Sequence, residues 1–364
     1  MGIEAIDVKW CLGKIAVILI VMCLTYVCSS PIKISSEVVS NTKIQMPRIR
    51  VEKPDTYMCM AVPVTELGFS NLVGFKFEVI KEVAHHVAMA VCENYETEQR
   101  LWDCKSSHGH ICKGRSITFG GWDGWSKHHT DIVFPYDVGV QLGKDFKLNY
   151  LIVQTHFQEA ILDPDSLCSN PTNVTLFMTQ ESRKYSYQQA LFYSSGYIPA
   201  FAEDFKAEIA CKWRGVPVNV YEYSAHTHDS GQLLEGYIVR NNTALLVTKE
   251  KPKGKSHDTT KVKGGTIEIR PGDTLAVRCT YKNTGPNKIN FGLGGTDEMC
   301  NLALTFEYDA KEITAFPESV KCSADAQDKV WCPNSAGDQV GVLCDLQQAA
   351  SNNMAPEDVH GVIM

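Results

Sequence analysis

The stretch Phe75-Lys76-Phe77-Glu78-Val79-Ile80 sets charged side chains between apolar ones at every second position. Successive residues of a strand point to opposite faces, so this rhythm marks a strand with one face buried and the other in water. Leu148-Asn149-Tyr150-Leu151-Ile152-Val153 and Thr266-Ile267-Glu268-Ile269 read as further short strands, and clusters of Gly, Pro, Asn and Asp separate such segments. Helical periodicity is scarce. Short strands punctuated by turn formers predict an all-β chain built as two antiparallel, jelly-roll-like β-sandwiches.

Length agrees, because 364 residues exceed what one core of ordinary size organises. The turn-dense stretch Asp163-Pro164-Asp165-Ser166-Leu167-Cys168-Ser169-Asn170-Pro171 is the natural join. The expected organisation is an N-terminal domain over residues 29–170, a second over 171–330, and a C-terminal extension over 331–364 that retains Cys332 and Cys344.

A net charge of −7 gives no general attraction for phosphate backbones, and the basic run 249–263, rich in Gly, Pro and Thr, reads as a solvated loop. Nucleic acid is therefore excluded as a partner. Residues 1–28 form a targeting segment in which Lys9 and Lys14 precede the apolar run 15–27, and Cys28-Ser29-Ser30 follows it. That run is shorter than the roughly 20 apolar residues a spanning helix needs. A cleaved signal peptide is expected, with an uncleaved signal anchor, and hence a membrane contact, as the alternative. The destination is the secretory pathway: a secretory-vesicle lumen or the cell exterior.

Fourteen cysteines in an oxidising compartment should mostly be disulfides. Cys11 and Cys23 fall in the targeting segment, and the remainder is an even set only if Cys28 survives processing. Asn173-Val174-Thr175 and Asn241-Asn242-Thr243 are sequons, so Asn173 and Asn241 are the expected glycosylation sites.

The chemistry is carried by His85-His86, Gln154-Thr155-His156, His226-Thr227-His228 and Asp297-Glu298-Met299-Cys300-Asn301. Imidazole suits several metals, but a thioether beside imidazoles selects a soft, redox-active one, so Met299 points to copper over zinc. His226 and His228, two apart in a strand, leave the same face and can chelate one ion that Met299 completes from a distant strand. His85 and His86 are adjacent. They reach one metal together only if the backbone bends or the two rings use different nitrogens, with His156 as the third ligand. A lone His-x-His is more often a surface or core pair and a lone Met more often packing, so the conjunction carries the reading of a secreted metalloprotein. His108-Gly109-His110 and His128-His129 read as loop residues.

Taken in order, Asp55-Thr56-Tyr57-Met58-Cys59, His85-His86, Cys92, Gln154-Thr155-His156-Phe157, His226-Thr227-His228 and Asp297-Glu298-Met299-Cys300-Asn301-Leu302 resemble the ascorbate-dependent copper type II monooxygenases, and within them the peptidylglycine α-hydroxylating branch. The resemblance runs from about Cys28 to Cys322. It implies two copper ions, one per sandwich, facing a solvent-filled cleft. His85, His86 and His156 would hold the copper that takes electrons from ascorbate. His226, His228 and Met299 would hold the copper at which hydroxylation occurs, with O2 as co-substrate and Gln154 near the electron-transfer route. Tyr57 and Asn301 match residues that contact the peptide. The implied reaction converts glycine-extended peptides to their α-hydroxyglycine form, the first step of C-terminal amidation in neuropeptide processing. The chain carries no counterpart of the lyase that finishes amidation, so a separate enzyme is expected, and the protein is expected to be a monomer. The implied disulfides are Cys59 with Cys104, Cys92 with Cys112, Cys211 with Cys322, Cys279 with Cys300, and Cys28 with Cys168.

Three positions depart from the branch. Ser224 stands where peptide-amidating members carry an arginine for the terminal carboxylate, a bidentate task a serine cannot perform. Ala303 and Thr305 replace larger pocket residues. Arg240 or Arg214 is a candidate source of the missing charge. The dopamine and tyramine β-monooxygenase branch, which handles amines without a carboxylate, is the alternative. It carries a further domain ahead of the copper core, for which the roughly thirty residues between Cys28 and Tyr57 leave no room, so the peptide reading is preferred. A non-catalytic copper-binding protein is the second alternative.

Overall fold

The computed structural model describes residues 40–68, 70–79, 84–104, 111–123, 131–163, 172–241, 243–252, 258–292, 296–313 and 320–328, with backbone alone at His85 and residues 120–123. The targeting segment, Cys28, Cys168, Cys332, Cys344, residues 108–110 and 128–129, and most of the expected join at 163–171 lie outside the described residues.

The chain is all-β. Its first half carries β1 (Ser40–Gln45), β2 (Thr56–Pro63), β3 (Asn71–Glu78), β4 (Ala84–Tyr95), β5 (Leu101–Asp103), β6 (Cys112–Asp123), β7 (Asp131–Val133), β8 (Val138–Gln141), β9 (Tyr150–Phe157) and β10 (Asn173–Thr179). The second half carries β11 (Tyr185–Ser195), β12 (Tyr197–Ile198), β13 (Ala202–Lys212), β14 (Val218–His226), β15 (Gly231–Arg240) and β16 (Thr243–Glu250). It continues with β17 (Thr259–Lys261), β18 (Ile267–Ile269), β19 (Thr274–Asn283), β20 (Ile289–Asn290), β21 (Asn301–Asp309) and β22 (Lys321–Asp325).

In the first sandwich the sheet β5-β2-β9-β4-β6 faces the sheet containing β1-β10-β3-β8. The alternation around Phe75 is realised in β3, where Phe75 and Phe77 are buried and Lys76 between them is not. Along β4 the same period divides two clusters. Val87, Met89 and Val91 enter the main core, while Ala88, Ala90 and Cys92 face a smaller one with Tyr57, Cys59, Trp102 and Ile152. Cys59–Cys104 and Cys92–Cys112 staple that smaller cluster. Each large side chain fully buried this way contributes about 2 kcal/mol.

The second sandwich packs the sheet β13-β19-β15-β16 on β11, β21 and β14 around Trp213, Phe192, Phe306, Leu302 and Val277. Cys211–Cys322 ties β13 to β22, and Cys279–Cys300 ties β19 to the start of β21. Each closure restrains the unfolded chain.

One sheet runs through both halves, since β8 pairs in parallel with β11 through Tyr185↔Val138 and Ser186↔Gly139. Tyr187 of β11 joins the first core, whereas Ala190 and Phe192, of opposite parity, join the second. The two cores therefore use opposite faces of a shared sheet. β10 lies between β1 and β3 and buries Val174, Leu176 and Met178 in the first core. The first core thus recruits residues beyond the turn-dense stretch read as the join, because turn density does not show which sheet the next strand enters.

Candidate metal centres

The first centre grows from a row across three strands, Tyr57↔His156 between β2 and β9 and His86↔His156 between β9 and β4. The register slips between Ala84 and His86, which places a β-bulge at His85. A bulge re-aims the side chains around it, which meets the requirement for a bend between two adjacent histidines. Nδ1 of His86 and Nδ1 of His156 stand 3.4 Å apart. Two nitrogens bound to one ion at about 2.0–2.1 Å with a tetrahedral angle would be about 3.3 Å apart, so this pair fits a shared metal. The other nitrogen of His156, Nε2, lies 2.7 Å from Oδ1 of Asp55. A carboxylate there accepts a hydrogen bond from Nε2–H and leaves Nδ1 as the nitrogen that a metal would meet. Tyr57 stacks on His156 with ring centroids 3.9 Å apart, and burial, with the Asp55 charge adding, holds its phenol well above the usual range.

Gln154 is buried two residues before His156, with Nε2 at 3.5 Å from Sγ of Cys104 and 3.8 Å from Sγ of Cys59. It lies against the disulfide beside the first centre.

The second centre departs from expectation in one respect. β14 ends at His226, so His228 sits in the turn beyond the strand and does not alternate with His226 along it. The rings still meet, with centroids 5.1 Å apart and planes at 87°. The cause is Glu298, whose buried carboxylate accepts from the backbone N–H of His228 (2.8 Å), Ser230 (2.7 Å) and Met299 (3.2 Å). One side chain thereby joins the turn carrying His228 to the segment carrying Met299. Nδ1 of His228 is 2.6 Å from the carbonyl of Asp297, to which it donates, so that Nε2 is the nitrogen a metal would meet. Tyr281 donates from its hydroxyl to the carbonyl of Met299 at 2.7 Å, and Nδ2 of Asn301 donates to the Met299 sulfur at 3.3 Å. Asn301 is also the cross-strand partner of His226.

Of the residues expected to contact substrate, Tyr57 thus belongs to the first centre and Asn301 to the second. Among the described residues no set of three His, Cys, Asp or Glu side chains gathers at one point. That agrees with the expected donor sets, in which the third donor would be His85, of which only the backbone is described, or a thioether. Two imidazoles with a thioether suit copper. The spacing of Asp55 from Tyr57 and the position of Glu298 inside the ligand motif were the available signals for these two carboxylates.

Neither arginine considered for the Ser224 position is near it. Arg240, at the far end of β15 from the turn that holds His228, donates to both carboxylate oxygens of Asp273 at 2.8 and 2.6 Å. Burial pushes the Asp273 carboxyl up, but Arg240 and the Arg270 N–H outweigh it and hold the group below its ordinary value. Arg214 follows Trp213, whose N–H donates to the carbonyl of that same Asp273. Long strands separate this end of the sandwich from His226.

The copper type II ascorbate-dependent monooxygenase models match here, the N-terminal domain over residues 42–163 and the C-terminal domain over 188–327. The chain belongs to this family. Peptidyl-glycine alpha-amidating monooxygenase A of Xenopus laevis is 28% identical over 288 residues, 76% of this chain and 29% of that protein. Peptidylglycine alpha-amidating monooxygenase of Rattus norvegicus is 27% identical over 285 residues, 76% of this chain and 28% of that one. DBH-like monooxygenase protein 2 of Mus musculus is 26% identical over 285 residues, 72% of this chain and 45% of that one. The chain therefore spans less than a third of the length of the amidating relatives. Membership makes the protein a copper- and ascorbate-dependent oxidoreductase, and the four disulfides among the described residues belong to an oxidising, secretory environment. Among the described residues no helix is long and apolar enough to cross a membrane.

Proposed function

We propose that this monooxygenase hydroxylates the α-carbon of the terminal glycine in glycine-extended peptides. His85, His86 and His156 would hold one copper, His86 and His156 through Nδ1, and His226, His228 and Met299 would hold a second through Nε2 and sulfur. Copper, when bound, supplies one-electron steps between its two common oxidation states. Ascorbate would provide two electrons and two protons, so that one atom of O2 enters the substrate and the other leaves as water. The chain's own groups set the geometry: Asp55 and the Asp297 carbonyl fix the two histidine tautomers, Glu298 joins the His228 and Met299 segments, and Asn301 holds the sulfur. Tyr57 and Asn301 would contact the peptide, and Gln154 would lie on the electron route.

The observation that carries the reading is the second centre, where two imidazoles, a thioether and an asparagine amide meet beside one strand end. The relatives named as amidating monooxygenases favour the peptide. The amine reading is retained because Ser224 lies opposite Ala303 and Thr259, with no cation in the adjacent strands at that level. We also propose a secreted, monomeric glycoprotein bearing glycans at Asn173 and Asn241, with a separate lyase completing amidation.

The test offers copper-loaded protein, ascorbate and oxygen a glycine-extended peptide and tyramine together, with products read by mass spectrometry. A gain of one oxygen on the peptide is expected. Oxidation of tyramine alone would move the protein to the amine branch, and no product despite bound copper would leave a non-catalytic copper carrier.

A further inference from the structure

The register of the shared sheet places five residues in one row: Thr259, Ser224, Ala303, Leu191 and Lys321. All five lie on the same face, since the next residues along, Leu302, Phe192 and Cys322, are in the second core. His226 and Asn301 occupy the neighbouring row on that face. The row is thus one step along the sheet from the second centre, at the level where a carboxylate-binding arginine would stand were it not replaced by Ser224.

Lys321 is the cation of this row. Its neighbour across β11 is Leu191, and among the described residues no ion pair or hydrogen bond to its ammonium is formed. Lys261 also lies on this face but stands opposite Glu222, a carboxylate of its own. Strands are about 4.8 Å apart, so the Lys321 backbone is about 10 Å from Ala303 and about 14 Å from Ser224. A lysine stem of about 6 Å brings its ammonium within hydrogen-bond range of an anion lying over Ala303, where the small side chain leaves space.

We propose that Lys321 fixes the terminal carboxylate of the substrate, a reading that rests on the peptide assignment above. The charge has moved three strands across the sheet, from the β14 position to β22, and the small side chain of Ala303 leaves space for a carboxylate that the ammonium meets by reaching past Leu191. Leaving a cation half-buried without a counterion is costly, and the bound carboxylate offsets that cost. Burial already pulls the ammonium down to about 8 in the free protein.

The test compares an N-acetylated dipeptide ending in free glycine with its methyl ester. Binding to the copper-free protein is followed by calorimetry, and KM and kcat are measured on the copper-loaded protein. Wild type should prefer the acid. Lys321→Met should lower the acid-to-ester preference roughly 10-fold or more, mainly through binding and KM. Lys321→Arg should restore it, and Lys261→Met should leave it unchanged. A melting temperature in Lys321→Met no lower than that of wild type excludes misfolding as the cause, and Lys321→Arg reports on the same question if it falls. An unaltered preference in Lys321→Met, or its loss in Lys261→Met instead, would overturn the assignment to Lys321 alone. A wild-type protein that turns over tyramine and not the peptide would overturn the peptide reading as well.

Discussion

Oδ1 of Asp55 lies 2.7 Å from Nε2 of His156, while Nδ1 of that same ring faces Nδ1 of His86 at 3.4 Å. The carboxylate therefore selects the nitrogen that a metal meets. Asp55→Ala should weaken copper binding at the first centre about 10- to 100-fold and leave the second unaltered. Copper titration against a chelator, with electron paramagnetic resonance to separate the centres, reads this directly. Equal weakening at both centres would contradict it.

Met299 is held from both ends, by Tyr281 at its carbonyl and by Asn301 at its sulfur. Met299→Ile should keep the fold and the first copper yet lose hydroxylation by more than about 100-fold, beyond the usual effect of altering a supporting group. Circular dichroism and turnover, measured on one preparation, separate this from a packing role, for which activity would persist.

Glu298 accepts from three backbone N–H groups in a buried setting. Glu298→Ala would strand them and should lower stability by about 3 kcal/mol or more, with a melting temperature several degrees lower. Glu298→Gln keeps one acceptor oxygen and should cost less. A Glu298→Ala protein as stable as wild type would exclude the clasp.

Cys279–Cys300 closes a separation of 21 residues next to Met299, the thioether proposed for the second centre. Replacing both cysteines with serine should cost about 3 kcal/mol in urea unfolding. Copper affinity at the second centre should fall in parallel.

Lys321 gives a stability signature with a definite sign. Burial lowers its pKa to about 8, below the ordinary lysine value of about 10.4, so between these limits the unfolded chain binds more protons than the folded one. Stability attributable to this group is therefore least below about pH 8 and rises toward pH 10. Lys321→Met should exceed wild type by about 2 kcal/mol at pH 7, allowing for partial exposure, and the gap should close near pH 10. A gap that widens with pH would be incompatible with a desolvated ammonium.

The alternation at Phe75, the segment around Leu151 and the short Ile267 strand were legible because period-two burial is a local property. The disulfide partners and ligand segments could be named from resemblance, but their arrangement could not. The bulge at His85 depends on which residue of β9 lies opposite, and that register is set by distant pairing. The His-x-His spacing alone makes His228 a strand residue, whereas the N–H acceptor that turns the chain there comes from Glu298, 70 residues away. Arg240 looked available in sequence and is engaged by Asp273, 33 residues on. Lys321 carries no signal in the sequence, since its place in the row of Ser224 exists only across three pairings of the assembled sheet.

The pairing of β8 with β11 also bears on how the protein is made. As the nascent chain leaves the ribosome, β3 can cover one side of β8 long before Tyr185 has been synthesised to cover the other. β11 in turn gains its flank from β22 only once Asp325 has emerged. Until then the first half offers a short bare strand edge, the kind of surface that recruits a stranger's strand. Chaperone occupancy should accordingly persist through most of translation, and the N-terminal half expressed alone should self-associate more than the whole chain does.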